Sequence, residues 1–185
     1  MELKNISKSY DGKKVLDAFS LKAEKGKPVC IFGPSGCGKT TLLNITAGLT
    51  KADSGEVTGN EGRISYLFQE DRLLEWCTAR ENIMLTAKNK TAAEEFVKAA
   101  GIADALDLYP GQMSGGMRRR TAMARAVAYD GDIVLLDEPF NGIDDKTAEK
   151  TAGFLRRFVK DKVCILVTHR KKEAELLDAG IIVID

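Results

Sequence analysis

Short apolar runs alternate with amphipathic stretches along the 185 residues of the chain. Residues 28–32, 133–136 and 163–168 are almost uninterrupted hydrophobic segments bounded by Gly, Pro or charge. A strand covered on both faces has no solvent side, so such runs predict the central strands of a parallel sheet flanked by helices. Residues 2–6, 15–21, 55–58 and 63–68 differ. Polarity alternates along them, which predicts shorter strands with one wet face, more antiparallel in character. A last apolar run at 180–184 predicts a terminal strand.

Between 69 and 129 the periodicity becomes helical. Thr91 and Glu94 read as a capping box ahead of Phe96, Val97, Ala99 and Ala100. Asp144 opens a further helix in which Ala148, Ala152, Leu155 and Phe158 share a face. The reading is a single α/β domain over 1–185, interrupted by a helical insertion at about 70–125.

Composition narrows the class. Lys plus Arg (28) almost balances Asp plus Glu (27), a net charge of +1. That balance calls for no polyanionic partner, so no nucleic acid is expected. No stretch approaches the roughly 18 consecutive apolar residues of a spanning helix. Residues 1–12 lack the apolar core of a signal peptide. Cys30, Cys37, Cys77 and Cys164 have no zinc-like spacing, and read as the reduced thiols of an intracellular protein. The expectation is a soluble intracellular chain that reaches a membrane only through a partner.

Two segments carry chemistry. Gly33, Pro34, Ser35, Gly36, Cys37, Gly38, Lys39 and Thr40 match G-x-x-x-x-G-K-S/T in full, between an apolar strand and a helical run at 40–49. Glycines let the backbone curl so that several N–H groups point inward at a phosphate. The following helix presents its positive end to the same anion. Lys39 can reach the β and γ phosphates, and the Thr40 hydroxyl can ligate Mg²⁺. The run at 133–136 delivers Asp137 and Glu138 to the C-terminal end of a strand, where open α/β sheets bind ligands. Asp137 is placed to hold Mg²⁺ through water, and Glu138 to polarise an attacking water.

Those two poles describe a P-loop NTPase and no more. Met113, Ser114, Gly115, Gly116 and Met117 resemble the LSGGQ-type signature of ABC (ATP-binding cassette) ATPases, with Met at its first and fifth positions. Residues 109–112 and 121–126 also look like that family, and the resemblance extends over nearly the whole chain. It implies an α/β P-loop NTPase, with an ABC-ATPase core of parallel sheet, an antiparallel β subdomain and a helical subdomain insertion. It implies that Tyr10 stacks on adenine and that Gln69 is the glutamine that senses Mg²⁺ and the attacking water. His169, the only histidine, is similar to the switch histidine that contacts the γ-phosphate. Ser114, Gly115 and Gly116 would cap a helix whose N–H groups face a γ-phosphate. Arg118, Arg119, Arg120 and Arg125 read as the solvated face of that helix. Asn141, Gly142, Ile143 and Asp144 occupy the D-loop position, where the family is closer to Ser-Ala-Leu-Asp.

The same resemblance implies partners. In the family two cassettes dock head to tail, so that each ATP lies between residues 33–41 of one copy, Thr41 included, and residues 114–117 of the other. ATP closes the pair, hydrolysis reopens it, and a permease follows. A cassette without a fused membrane domain is similar to importers with separate subunits. Residues 67–83, with Leu73, Leu74 and Trp76, look like the nitrate, sulfonate and taurine importers, with Glu75 in place of the usual proline. The implied partners are a second copy, integral membrane permease subunits and an external solute-binding protein. The implied location is cytoplasmic, on the inner face of the cell membrane. A soluble ABC ATPase of the cluster-assembly or repair type is the alternative, and it would share every catalytic residue named. The cargo is selected by the permease and any external binding protein.

Overall fold

The chain forms, in order, β1 (Glu2–Tyr10), β2 (Lys13–Lys22), β3 (Val29–Phe32), α1 (Lys39–Thr46), β4 (Ser54–Thr58), β5 (Ile64–Leu67), α2 (Ala79–Met84), α3 (Lys90–Ala99), α4 (Gly115–Tyr129), β6 (Ile133–Asp137), α5 (Asp145–Phe158), β7 (Val163–Thr168), α6 (Lys171–Leu176) and β8 (Gly180–Val183). The computed structural model describes residues 1–184. Asp185, the last residue of the expected domain, lies outside the described residues. Among the described residues no helix is long and apolar enough to cross a membrane.

Five strands make a parallel sheet in the order β5-β6-β7-β3-β8. Every residue of β6 and β7 is buried, as their unbroken apolar sequences require. Alternation splits each strand between two cores. Val134, Leu136, Cys164 and Leu166 pack with Phe96, Met123, Val127 and Leu155 of α3, α4 and α5. Ile133, Leu135, Ile165 and Val167 face Leu42, Leu43 and Ile45 of α1. That second core continues into Leu3, Ile6, Leu16 and Leu21 of a separate antiparallel sheet, ordered β2-β1-β4. Burying each large side chain contributes about 1.5–3 kcal/mol, so the two layers hold β3 and β6 rigidly, and both strands end at the site.

β1 and β2 run longer than their polarity suggested. Asp11 (φ 49) and Gly12 (φ 77) form a two-residue hairpin loop, and Tyr10 pairs with Lys13. Positive φ at both loop residues matches the twist of the flanking strands, so pairing continues to the turn. It also carries Tyr10 to the tip of the hairpin.

Two local readings are corrected. Residues 63–68, read as antiparallel in character, form β5, which pairs parallel with β6 at the edge of the main sheet. Only Ser65 and Leu67 of β5 are buried. An edge strand of a parallel sheet is half-wet too, and alternation reports wetness rather than direction. The Thr91–Glu94 box does not cap α3. Asn89 does, accepting from the Ala92 N–H at 2.9 Å, so Thr91 lies inside the helix. A reciprocal capping box forms instead at Thr78 and Glu81, where it opens α2. Asp144 caps α5 through the Thr147 N–H at 3.0 Å, as read.

Candidate active site

β3 ends at Phe32, the chain turns through 33–38, and α1 begins at Lys39. Gly38 sits at φ 95, and a Cβ there would meet Val15 Cγ1 and the Val15 carbonyl at 2.9 Å. Backbone angle and the β2 wall therefore both demand glycine at the head of the helix. The loop bounds a cleft of about 360 Å³ lined by Tyr10, Val15, Ser35, Gly36, Gly38, Lys39, Thr40, Thr41, Gln69, Asp137 and Glu138. Gly33, Pro34 and Cys37 belong to the same loop but are not among the lining residues. The Lys39 ammonium donates to the Gly33 and Pro34 carbonyls at 2.7 Å each, 4.0 Å from Cys37 Sγ. A buried cation and a helix N-terminus thus flank the cleft, and both favour phosphate.

The acidic pole closes the other side. Thr40 Oγ1 donates to Asp137 Oδ2 at 2.7 Å, joining residues 97 apart in sequence. Burial holds the Asp137 carboxyl above its ordinary range, against the hydrogen bond from Thr40. A hydroxyl and a buried carboxylate together, with the Gln69 amide lining the same cleft, are oxygen donors that fit Mg²⁺.

Glu138 follows β6 with φ 47, the left-handed region that a residue with a Cβ enters at a cost of about 1–3 kcal/mol. Its N–H donates to the Val167 carbonyl at 2.9 Å. Its Oε1 lies 2.9 Å from His169 Nδ1, and its Oε2 accepts from Thr168 Oγ1 at 3.1 Å. Behind Thr168 lies Glu173, whose Oε2 is 2.7 Å from the same hydroxyl. Glu173 is buried, and its Oε1 has no hydrogen-bond partner. Burial raises its pKa, with the nearby Glu138 charge acting in the same direction. His169 does not line the cleft; the Glu138 carboxylate joins it to the site.

The segment resembling the signature stands apart. Ser114 Oγ accepts from the Met117 N–H at 3.2 Å and caps α4. Ser114 and Gly115 are exposed, and none of Ser114, Gly115 and Gly116 lines the cleft of its own chain. Gly116 packs on Gly142: a Cβ there would meet the Gly142 carbonyl at 2.8 Å. The first turn of α4 and the loop of 141–144 approach this closely only because residue 116 is glycine.

The solvated-arginine reading fails for three of the four arginines, and only Arg118 is exposed. Arg119 is 3% exposed and donates into the loops that carry Gln69 and Glu138. Arg120 donates to the Ala100 carbonyl at 2.6 Å, at the C-terminus of α3. Arg125 donates to the Asp71 and Arg72 carbonyls. The signal that could have found Arg125 is its setting among Ala122, Met123, Ala124, Ala126, Val127 and Ala128, all of them buried; Arg119 and Arg120 have no such setting in the sequence. Two further residues escaped the sequence reading. Val15 lines the cleft. Asn82, fully buried, donates to the Leu74, Cys77 and Thr78 carbonyls and accepts from the Leu74 N–H, fixing the loop from which Trp76 projects, 74% exposed. Leu73 and Leu74 are half-buried, and Leu73 packs on the core.

A phosphate cradle at the end of a parallel strand, with a hydroxyl–carboxylate pair and a carboxylate–imidazole pair beside it, defines a P-loop ATPase. Residues 16–141 match the family model described as ABC transporter. The chain is 38% identical over 190 residues to the aliphatic sulfonates import ATP-binding protein SsuB of Delftia acidovorans, covering 100% of this chain and 79% of that protein. It is 34% identical to the taurine import ATP-binding protein TauB of Roseobacter denitrificans, covering 99% and 76%. Among solved structures, the dimeric MJ0796, a bacterial ABC transporter cassette, superposes with a TM-score of 0.86 at 32% identity, covering 99% of this chain and 93% of that one. The chain therefore belongs to the ABC transporter family, as one of its ATP-hydrolysing cassettes.

Proposed function

We propose that the chain is the motor subunit of an importer of the sulfonate and taurine group, working as a head-to-tail pair with a second copy. One observation carries this reading. The cleft with Lys39, Thr40, Asp137 and Glu138 lacks the Ser114–Gly116 turn, which faces solvent elsewhere on the same chain. A site so divided is completed by a partner whose helix N-terminus meets the γ-phosphate.

In this reading Tyr10 stacks on adenine, the loop of 33–41 surrounds the phosphates, and Lys39 leaves its two carbonyls for the β and γ oxygens. Thr40, Asp137 and Gln69 would hold Mg²⁺, which when bound would neutralise charge on the β and γ phosphates. Glu138 accepts a proton from water as the water oxygen bonds to the γ phosphorus. The bond to the β–γ bridging oxygen breaks, leaving ADP and phosphate. His169 keeps Glu138 oriented and reaches the γ-phosphate. Loss of that phosphate removes what bridges the two copies, and they part.

The permease contact is the surface of Trp76 and a neighbouring apolar groove of about 420 Å³ lined by Leu49, Phe68, Leu74, Leu85 and Tyr129. Phe68 of the groove directly precedes Gln69 in the chain, so a helix seated there feels the nucleotide. The assembly lies on the inner face of the membrane with an external solute-binding protein. Purification from native membranes tests this: co-isolation of an integral membrane protein, with ATPase raised by the solute-binding protein and its sulfonate, is the expected result. Isolation of the chain with soluble partners alone would favour the non-transport alternative.

A further inference from the structure

We propose that Arg119 is a positioning residue for hydrolysis, holding the backbone of Glu138 and Gln69 in one geometry through a single buried guanidinium. The inference rests on the reading of Glu138 as the base.

Arg119 enters from α4. Its Nη2 donates to the Glu138 carbonyl at 2.9 Å and to the Asp137 carbonyl, and its Nε approaches the Pro139 carbonyl at 3.4 Å. Its Nη1 donates to the Phe68 carbonyl at 2.6 Å, the Gln69 carbonyl at 3.3 Å and Asp71 Oδ1 at 3.2 Å. One face of the fork thus holds 137–139 and the other 68–71, the two segments that bring Glu138 and Gln69 to the cleft. Only a planar guanidinium reaches both; a lysine ammonium is a point charge that cannot span them.

The strained residue is where this matters. At φ 47, Glu138 stays in place because its surroundings hold it. Its N–H is held by Val167 on β7, and its carbonyl by Arg119. Release of the carbonyl frees the peptide to relax and swings the carboxylate away from His169. Stability alone is a poor reason for the arrangement. Burial draws the Arg119 pKa down, Asp71 is its salt-bridge partner among the described residues, and well-packed apolar groups often do as well as a buried ion pair. What the guanidinium supplies is orientation.

Arg119→Lys and Arg119→Gln test the inference through Mg-ATP affinity, KM and kcat. The expected result is a kcat reduced at least about tenfold with Kd and KM within about threefold of wild type, the pattern of an interaction needed in the transition state. Asp71→Asn keeps the arginine and removes its carboxylate; should the Arg119 variants not fold, it serves instead, with kcat lowered about two- to fivefold at unchanged Kd. A kcat within about twofold of wild type in a variant that binds Mg-ATP normally overturns the inference, as does a parallel loss of kcat and binding. Glu138→Gln separates the two ideas. Its inactivity beside active Arg119 variants overturns positioning alone, whereas its full activity overturns the base and this inference together.

Discussion

His169 Nδ1 lies 2.9 Å from Glu138 Oε1, and the carboxylate's other oxygen accepts from Thr168, the residue just before the histidine. The two ends of one carboxyl group are thus held by consecutive residues at the end of β7. Glu138→Gln keeps shape and most of these contacts while removing the proton acceptor. We expect ATP binding within about threefold of wild type and turnover reduced at least about a hundredfold. A dimer stable only in ATP should accumulate in gel filtration. Turnover near the wild-type rate would assign the base elsewhere.

Lys39→Ala and Ser114→Arg remove different halves of the composite site. The first should lose nucleotide binding. The second, at an exposed cap outside the cleft, should bind ATP but neither dimerise nor turn over. Mixed, they leave one intact site per heterodimer, so activity should recover in part and depend on protein concentration. Rates strictly linear in concentration, with only monomer present at every ATP level, would sink the shared site.

Trp76 is 74% exposed on a loop that Asn82 fixes from beneath. Its replacement by alanine should therefore change stability by no more than about 0.5 kcal/mol. Basal ATPase should persist while permease binding or coupled transport is lost, as expected of an aromatic anchor. Full transport by Trp76→Ala vesicles would remove Trp76 from the coupling surface.

Glu173 is the buried carboxyl behind the base, facing Thr168 and Glu138, with Arg170 and His169 beside it. Burial raises its folded-state pKa above the ordinary 4.5. The folded state then binds the proton more tightly, so the group's favourable contribution is complete below 4.5 and is lost as pH rises through the folded value. At neutral pH the wild type carries the cost of burying that charge or of keeping the group protonated, and Glu173→Gln removes either. The variant should melt at higher temperature than wild type at pH 7–8, and the gain should shrink towards pH 4.5. A gain independent of pH, or a loss at neutral pH, contradicts this assignment.

Burial pushes the Cys30 and Cys164 thiols to about 12, which leaves them inert at neutral pH. Cys37 and Cys77 are half-buried, and Cys37 lies in the phosphate loop 4.0 Å from the Lys39 ammonium. An alkylating reagent should modify Cys37 first and abolish ATPase, with protection by Mg-ATP at Cys37 but not at Cys77. Labelling of Cys37 that ignores nucleotide, read by peptide mapping, would place the loop outside the ATP site.

The sequence by itself determined what is encoded in neighbouring residues. The loop of 33–40 is legible because its glycines, lysine and threonine act within a few residues of one another. β6 and β7 are legible because a strand buried on both faces must be apolar throughout. Asp137 and Glu138 follow from the end of such a strand, and Ser114 and Asp144 from caps that reach only three residues along the chain. Tertiary structure alone decided partners. Half-burial of residues 63–68 did not say which strand would lie alongside them, nor in which direction. Four arginines in one helix look solvated when counted as charges. Arg119 is buried because the Phe68 carbonyl, 51 residues away, and the Glu138 carbonyl, 19 residues away, both turn towards it. A guanidinium's acceptors are backbone carbonyls, which every residue has, so no residue type in the sequence marks where they are.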